Sequence, residues 1–227
     1  MAVITVVERM VEMVTKKEMG YPANLEIDYP KTTLDRVSSF FRIFWSIPAL
    51  IILTLVMASW GGEMANEAGK EMTENSGGVA VGLFAATGLM ILFRQRYPRW
   101  WFDFVLELNR FSTRVGAYLL LLTDQYPSTV EKQSVQLDIV YPDVKQDLNR
   151  WLPLVKWLLA LPHYVVLFFL VIAMFFVTIV AWFAILFTGR YPKGLFDFVV
   201  GVNRWNLRVS AYAFLLTTDQ YPPFSLK

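Results

Sequence analysis

Tyr191-Pro192-Lys193-Gly194-Leu195-Phe196-Asp197-Phe198-Val199, then Asn203-Arg204, Arg208-Val209, Ala211-Tyr212 and Thr218-Asp219-Gln220-Tyr221-Pro222, repeats an earlier stretch. That stretch runs Tyr97-Pro98-Arg99-Trp100-Trp101-Phe102-Asp103-Phe104-Val105, then Asn109-Arg110, Arg114-Val115, Ala117-Tyr118 and Thr123-Asp124-Gln125-Tyr126-Pro127. The matches keep an offset of about 94 residues, with one extra residue just before the second Asp-Gln-Tyr-Pro. A match this long reads as a tandem duplication, and it sets the architecture before any element is assigned.

Working outward, Leu25-Glu26-Ile27-Asp28-Tyr29-Pro30 alternates apolar and polar as a half-exposed strand does, and Leu137-Asp138-Ile139-Val140-Tyr141-Pro142 is its counterpart. Arg36 then matches Arg150, Arg42 matches Lys156 and Pro48 matches Pro162. The chain divides into a tail at 1–20, a first membrane repeat at 21–127 and a second at 128–227. In the tail, Val3, Val7, Met10 and Val14 share one helical face, so 2–17 reads as a short amphipathic helix, on a membrane or on a partner, or as a frayed tail.

Of 227 residues, 56% are hydrophobic and only 18% charged, below the quarter usual in soluble domains. A formal charge of +2 gives no field that points to nucleic acid. The absence of cysteine excludes disulfides, thiolate metal sites and cysteine nucleophiles.

Val37–Trp60 is a first hydrophobic span and Val79–Phe93 a shorter second one, with an acidic loop at Gly61–Gly78 between them and Arg94, Arg96 and Arg99 after them. The positive-inside rule puts the Arg cluster and the N-terminus in the cytoplasm. In the second half, Trp151–Phe187 is almost continuously apolar. Matching it to the first half predicts a tight hairpin near Leu170–Met174, with spans at 149–171 and 174–188 and cytoplasmic termini. One long, tilted or kinked helix is the alternative.

Each half ends in an amphipathic helix, 99–122 and 194–217. At 100° per residue, Asp103, Glu107, Arg110 and Arg114 form one stripe bordered by Tyr118; Asp197, Arg204 and Arg208 repeat it, bordered by Tyr212, with Gly201 in place of Glu107. Such a helix lies in the membrane interface, or forms a third span with its stripe inward. Trp100, Trp101, Tyr118 and Tyr212 read as interface anchors.

Leu186-Phe187-Thr188-Gly189-Arg190-Tyr191-Pro192, Leu195-Phe196-Asp197-Phe198-Val199, Arg208-Val209-Ser210-Ala211-Tyr212, Thr218-Asp219-Gln220-Tyr221-Pro222-Pro223-Phe224 and Leu161-Pro162-His163 resemble a bacterial membrane family, domain of unknown function 4389. The resemblance covers about 21–227 as two copies and implies a multi-pass protein of the bacterial cytoplasmic membrane. It carries no activity. The first copy departs from the pattern in its acidic loop and in Arg94-Gln95-Arg96 where the second has Thr188-Gly189-Arg190.

Chemistry is sparse. His163 is the only histidine, too few for a metal site, which needs three or four ligands; it reads as a packing residue. No phosphate loop or nucleophile elbow occurs, so no catalytic residue, metal or cofactor is assigned. Asp103 with Arg110 and Arg114, and Asp197 with Arg204 and Arg208, form either a polar site where the halves meet, with contact to lipid headgroups or a partner, or an ion-pair stripe that locks each helix to a strand. The expected fold is all-α and integral to the membrane, with about two spans and one interfacial helix per half plus short Tyr-Pro-ended extramembrane strands. The expected function is non-enzymatic: an accessory or scaffold subunit that binds membrane lipids and other subunits or itself. A small oligomeric transporter or channel with its path between the halves is the alternative, and a membrane enzyme comes third.

Overall fold

A computed structural model describes residues 20–57, 79–129, 131 and 133–227. The 2–17 helix and the acidic Gly61–Gly78 loop lie outside the described residues.

The elements follow from their local signals. Strand β1 is Ala23–Ile27. Helix α1, Arg36–Phe40, starts where the Asp35 carboxylate accepts the Val37 and Ser38 N–H groups. Helix α2, Arg42–Met57, carries Pro48 inside it. Helix α3 is Val79–Leu89, continued by a π-helical turn at Met90–Arg94. Helix α4, Arg99–Leu119, begins directly after Pro98, whose φ of −57° suits a helix entry. Strand β2 is Val135–Ile139, and the single turns α5, Val144–Asp147, and α6, Lys156–Leu159, lead to α7, Leu161–Thr188. Helix α8, Lys193–Ala213, repeats the Pro-led entry of α4 after Pro192.

Helix α7 corrects the expected hairpin at Leu170–Met174: it runs unbroken for 28 residues. No Gly or Pro from Tyr164 to Phe187 favours a break in the helix. The helix stops only at Gly189, which takes φ +72° and donates its N–H to Ile185 O at 2.7 Å. The matching position in the first half, Gln95, takes φ +47° with a full side chain after the π turn. Among the described residues α7 is the one helix long and apolar enough to cross a membrane.

β1 and β2 pair antiparallel, with Leu25 opposite Leu137. Val140 N–H bonds to Pro22 O and Asp28 N–H to Ser134 O, at 2.9 and 3.0 Å. Hydrogen-bonded pairs alternate along such a ladder, so Leu25 and Leu137 face each other without bonding, and their carbonyls point to the two outer edges. Ala23, Leu25, Ile27, Val135, Leu137 and Ile139 are buried on one side; Glu26, Asp28, Gln136 and Asp138 are exposed on the other.

Three layers result. β1 packs on α8 and β2 on α4; behind them α8 packs on α7 and α4 on α2. On α8, positions 200, 204, 207 and 211 share one side, while 205, 209 and 213 lie opposite. Arg204 Nε reaches Leu25 O at 2.8 Å from the first side. Trp205, Val209 and Ala213 cluster with Ala160 and Leu167 on the second. Phe111 and Val115 of α4 pack on Ala49 of α2 in the same way. The amphipathic helices are therefore middle-layer elements that bury their apolar side under protein. Their apolar side thus meets protein where the stripe pattern alone would set it against lipid.

The change from Glu107 to Gly201 has a packing cause. A Cβ at Gly201 would lie 2.7 Å from Leu226 O and 2.9 Å from Leu226 Cβ. Gly201→Ala is expected to push the C-terminal tail off α8 at about 1–3 kcal/mol. Denaturant unfolding and carboxypeptidase release of the tail measure both effects.

Candidate functional site

The polar stripes do not converge on one another. They act as two matching sets of clamps. Arg110 Nε donates to Leu137 O at 2.8 Å, and its other nitrogens pair with Glu107 at 2.6 Å and Asp138 at 2.7 Å. Arg204 Nε donates to Leu25 O, also at 2.8 Å. Each guanidinium caps the outward carbonyl at the centre of one strand. The central outward carbonyl of each sheet edge is thus taken by a side chain of the chain itself. Arg114 donates to Ser128 O at 2.5 Å and the largely buried Arg208 to Ser225 O, each holding the chain after its helix. Asp103 is exposed and pairs with Arg99 at 3.5 Å; Asp197 is exposed. Neither aspartate joins Arg110, Arg114, Arg204 or Arg208 in a shared site, which corrects the expected polar centre where the halves meet.

Arg204→Met is expected to cost about 1–2 kcal/mol in unfolding free energy, the value of a charge-assisted hydrogen bond to a strand carbonyl. Hydrogen exchange at the β1 amides should rise with it. An unchanged exchange pattern would remove the edge-capping role.

A second pair of clamps was legible only as the match of Arg42 with Lys156. Arg42 donates to Thr123 O at 2.6 Å, pairs with Asp124 and lies 4.2 Å from the centre of the Tyr118 ring. Lys156 donates to Thr218 O at 2.8 Å, pairs with Asp219 at 2.6 Å and lies 5.2 Å from the centre of Tyr212. Both cations are buried, at 2% and 1% exposure. The Thr-Asp-Gln-Tyr-Pro motif supplies the carbonyl and the carboxylate in each case. Its aspartates also bind the backbone at the start of the apolar segment in their own half: Asp124 accepts Asp35 N–H at 2.8 Å, and Asp219 accepts Asn149 N–H. Tyr118 and Tyr212 are 3% and 2% exposed beneath these cations. They are clamp floors and not the interface anchors expected. Trp101 is half-buried and donates to Thr87 Oγ1 at 2.9 Å, while Trp100 is 68% exposed.

The tyrosines of the Tyr-Pro motifs join the layers as neutral donors. Tyr29 donates to Tyr191 O at 2.5 Å, and Tyr141 donates to Tyr97 O. Burial pushes the Tyr97 and Tyr191 phenols up to about 12 and raises Tyr21 well above its usual range.

His163 is fully buried. Trp205 Nε1 donates to its Nδ1 at 3.1 Å, and Phe224 stacks on it at 4.0 Å between ring centres. Among the described residues no group of three or more His, Cys, Asp or Glu is placed to hold a metal ion.

The outer layer differs in kind. Most exposed side chains of α1, α2 and α7 are large and apolar: Ile43 is 71% exposed, Phe44 68%, Phe169 64% and Phe187 78%. Helix α1 joins α7 through Phe40 stacked on Trp182, whose Nε1 donates to Ser39 O at 3.1 Å. Soluble monomers seldom expose so large an apolar surface.

Residues 151–225 match the family model of a domain of unknown function (DUF4389). No curated protein and no solved structure gives a match.

Proposed function

We propose that this is a non-enzymatic membrane protein, a tandem duplication that binds lipid through α1, α2 and α7 and serves as an accessory or scaffold subunit of an assembly in the bacterial cytoplasmic membrane. One observation carries the membrane reading: α7, the most apolar of the described helices, reaches a mean hydropathy of 2.9 over an 18-residue window of which only 11% is buried. A core helix of that composition would be covered by protein. The recurrence of both clamp types at matching positions supports the duplication. The scaffold role is supported by what the polar side chains do: the clamp arginines and lysine bind backbone carbonyls and carboxylates of the chain itself. The junction between the halves, where a transport path would run, is filled by the Leu25–Leu137 pair, 2% and 3% exposed.

Two measurements test the proposal. After alkaline carbonate extraction the protein should remain with the membrane pellet; release into the supernatant would overturn the membrane reading. Native mass spectrometry from mild detergent should show foreign subunits in fixed ratio. A homo-oligomer carrying only lipid would overturn the accessory role.

A further inference from the structure

We infer that α7 lies in the plane of the membrane, sunk into one leaflet with α2 beside it, and does not cross the bilayer. This rests on the membrane reading above and specifies its geometry.

Three observations carry it. The first is what is strapped to α7. A helix of 28 residues is about 42 Å long, enough to cross a hydrocarbon slab of about 30 Å. But α8 runs back along it, from Ala181 and Ile185 packed near Phe196 and Val199 to Ala160 and Leu167 packed on Val209 and Ala213. β1 then runs along the other side of α8. Tyr29 meets Tyr191 and Phe196 at one end, and Tyr21 donates to Arg208 O and Gln220 O at the other. From Tyr21 to Tyr29 the strand segment therefore runs alongside for about 26 Å, more than half the length of α7. If α7 crossed, the exposed Glu26, Asp28, Gln136 and Asp138 would sit at the depth of the lipid tails, beside an open two-stranded sheet. Neither exposed charges nor lipid-exposed sheet are tolerated there.

The second is charge. Arg150, bonded to the carbonyls of Leu92 and Phe93 next to Arg94 and Arg96, lies toward the α7 N-terminus, whereas Arg36 and Arg190 meet around Gly189 at its C-terminus. All five are exposed. A crossing helix would send the two basic groups to opposite sides, against the positive-inside rule. An in-plane helix keeps both at the level of anionic headgroups.

The third is thickness. One helix layer is about 10 Å across, and the hydrocarbon of one leaflet is about 15 Å deep. The outer layer thus fits within a leaflet, with α4 and α8 near the headgroups and the sheet in water.

The absence of native cysteine gives a direct test that does not depend on how the protein inserts. Trp157→Cys and Arg190→Cys, both at exposed positions flanking α7, are combined in the full chain and reconstituted into sealed phosphatidylglycerol-containing vesicles. The vesicles are floated, treated with a membrane-impermeant maleimide, and the protein is weighed intact. In-plane α7 predicts molecules with two labels or none, according to which way each vesicle presents them. One label on nearly every molecule would mean that the two ends lie on opposite sides and would overturn the inference. Leu154→Cys with Lys193→Cys repeats the test should the first pair fail to fold. Failure to float at all would instead overturn the membrane reading on which the inference rests.

Discussion

Lys156→Met is expected to lower the unfolding free energy by about 3 kcal/mol, because it removes the cation and leaves its partners in place. The Lys156 ammonium is 1% exposed and touches Thr218 O and the Asp219 carboxylate. Methionine fills nearly the same volume, so packing is kept and the loss comes from a carbonyl and a carboxylate that lose their counterpart. Asp219 is itself 21% exposed and accepts Asn149 N–H, which holds the effect to the lower end for a broken buried pair. The double variant K156M/D219N should recover part of the loss, since it no longer buries an unpaired charge. Chemical unfolding in detergent followed by tryptophan fluorescence gives both values. A single variant within about 0.5 kcal/mol of the parent would show that the clamp is ornamental to the fold. Arg42→Met should cost less, since its partner Asp124 is 32% exposed.

Trp205→Ala is expected to cost about 3–5 kcal/mol, the range for deleting a buried aromatic ring. The indole packs between α7 and the tail, with Phe224 edge-on at 5.6 Å between centres and His163 on its Nε1. Trp205→Phe keeps most of the volume but leaves His163 Nδ1 buried without a donor, at about 1–2 kcal/mol. The first half shows the apolar solution to the same site: Ala49 and Phe111 stand where the second half has His163 and Trp205. H163A/W205F should therefore be less destabilised than the sum of its singles, a coupling that a double-mutant cycle measures. Strict additivity would show that the histidine and the indole do not depend on each other.

Much of the local structure was legible. The strands before Tyr29-Pro30 and Tyr141-Pro142 appear at Ala23–Ile27 and Val135–Ile139, and the helices expected at 99–122 and 194–217 appear at Arg99–Leu119 and Lys193–Ala213. Each depends on neighbours within a turn or two: alternation for the strands, a 3.6-residue stripe and a leading proline for the helices. The hairpin is absent because matching the second half to the first carries over a turn that belongs to the first half's acidic insert; the unbroken α7 needs none at that place.

The destination of each stripe was not legible. Arg204 binds Leu25 and Arg110 binds Leu137, so the strand that opens the first half is capped from the second, and the other strand is capped from the first. Periodicity says that Arg204 and Arg208 share a side; it carries no information about a carbonyl 179 residues away. The same limit misplaced Tyr118 and Tyr212, since an aromatic residue bordering a charged stripe suits a headgroup region and a buried cation equally well. The sequence by itself determined which side of each helix avoids water, because that depends on residues within one helix. Only the tertiary structure decided whether protein or lipid takes up that side, because that depends on which distant segments the folded chain brings against it.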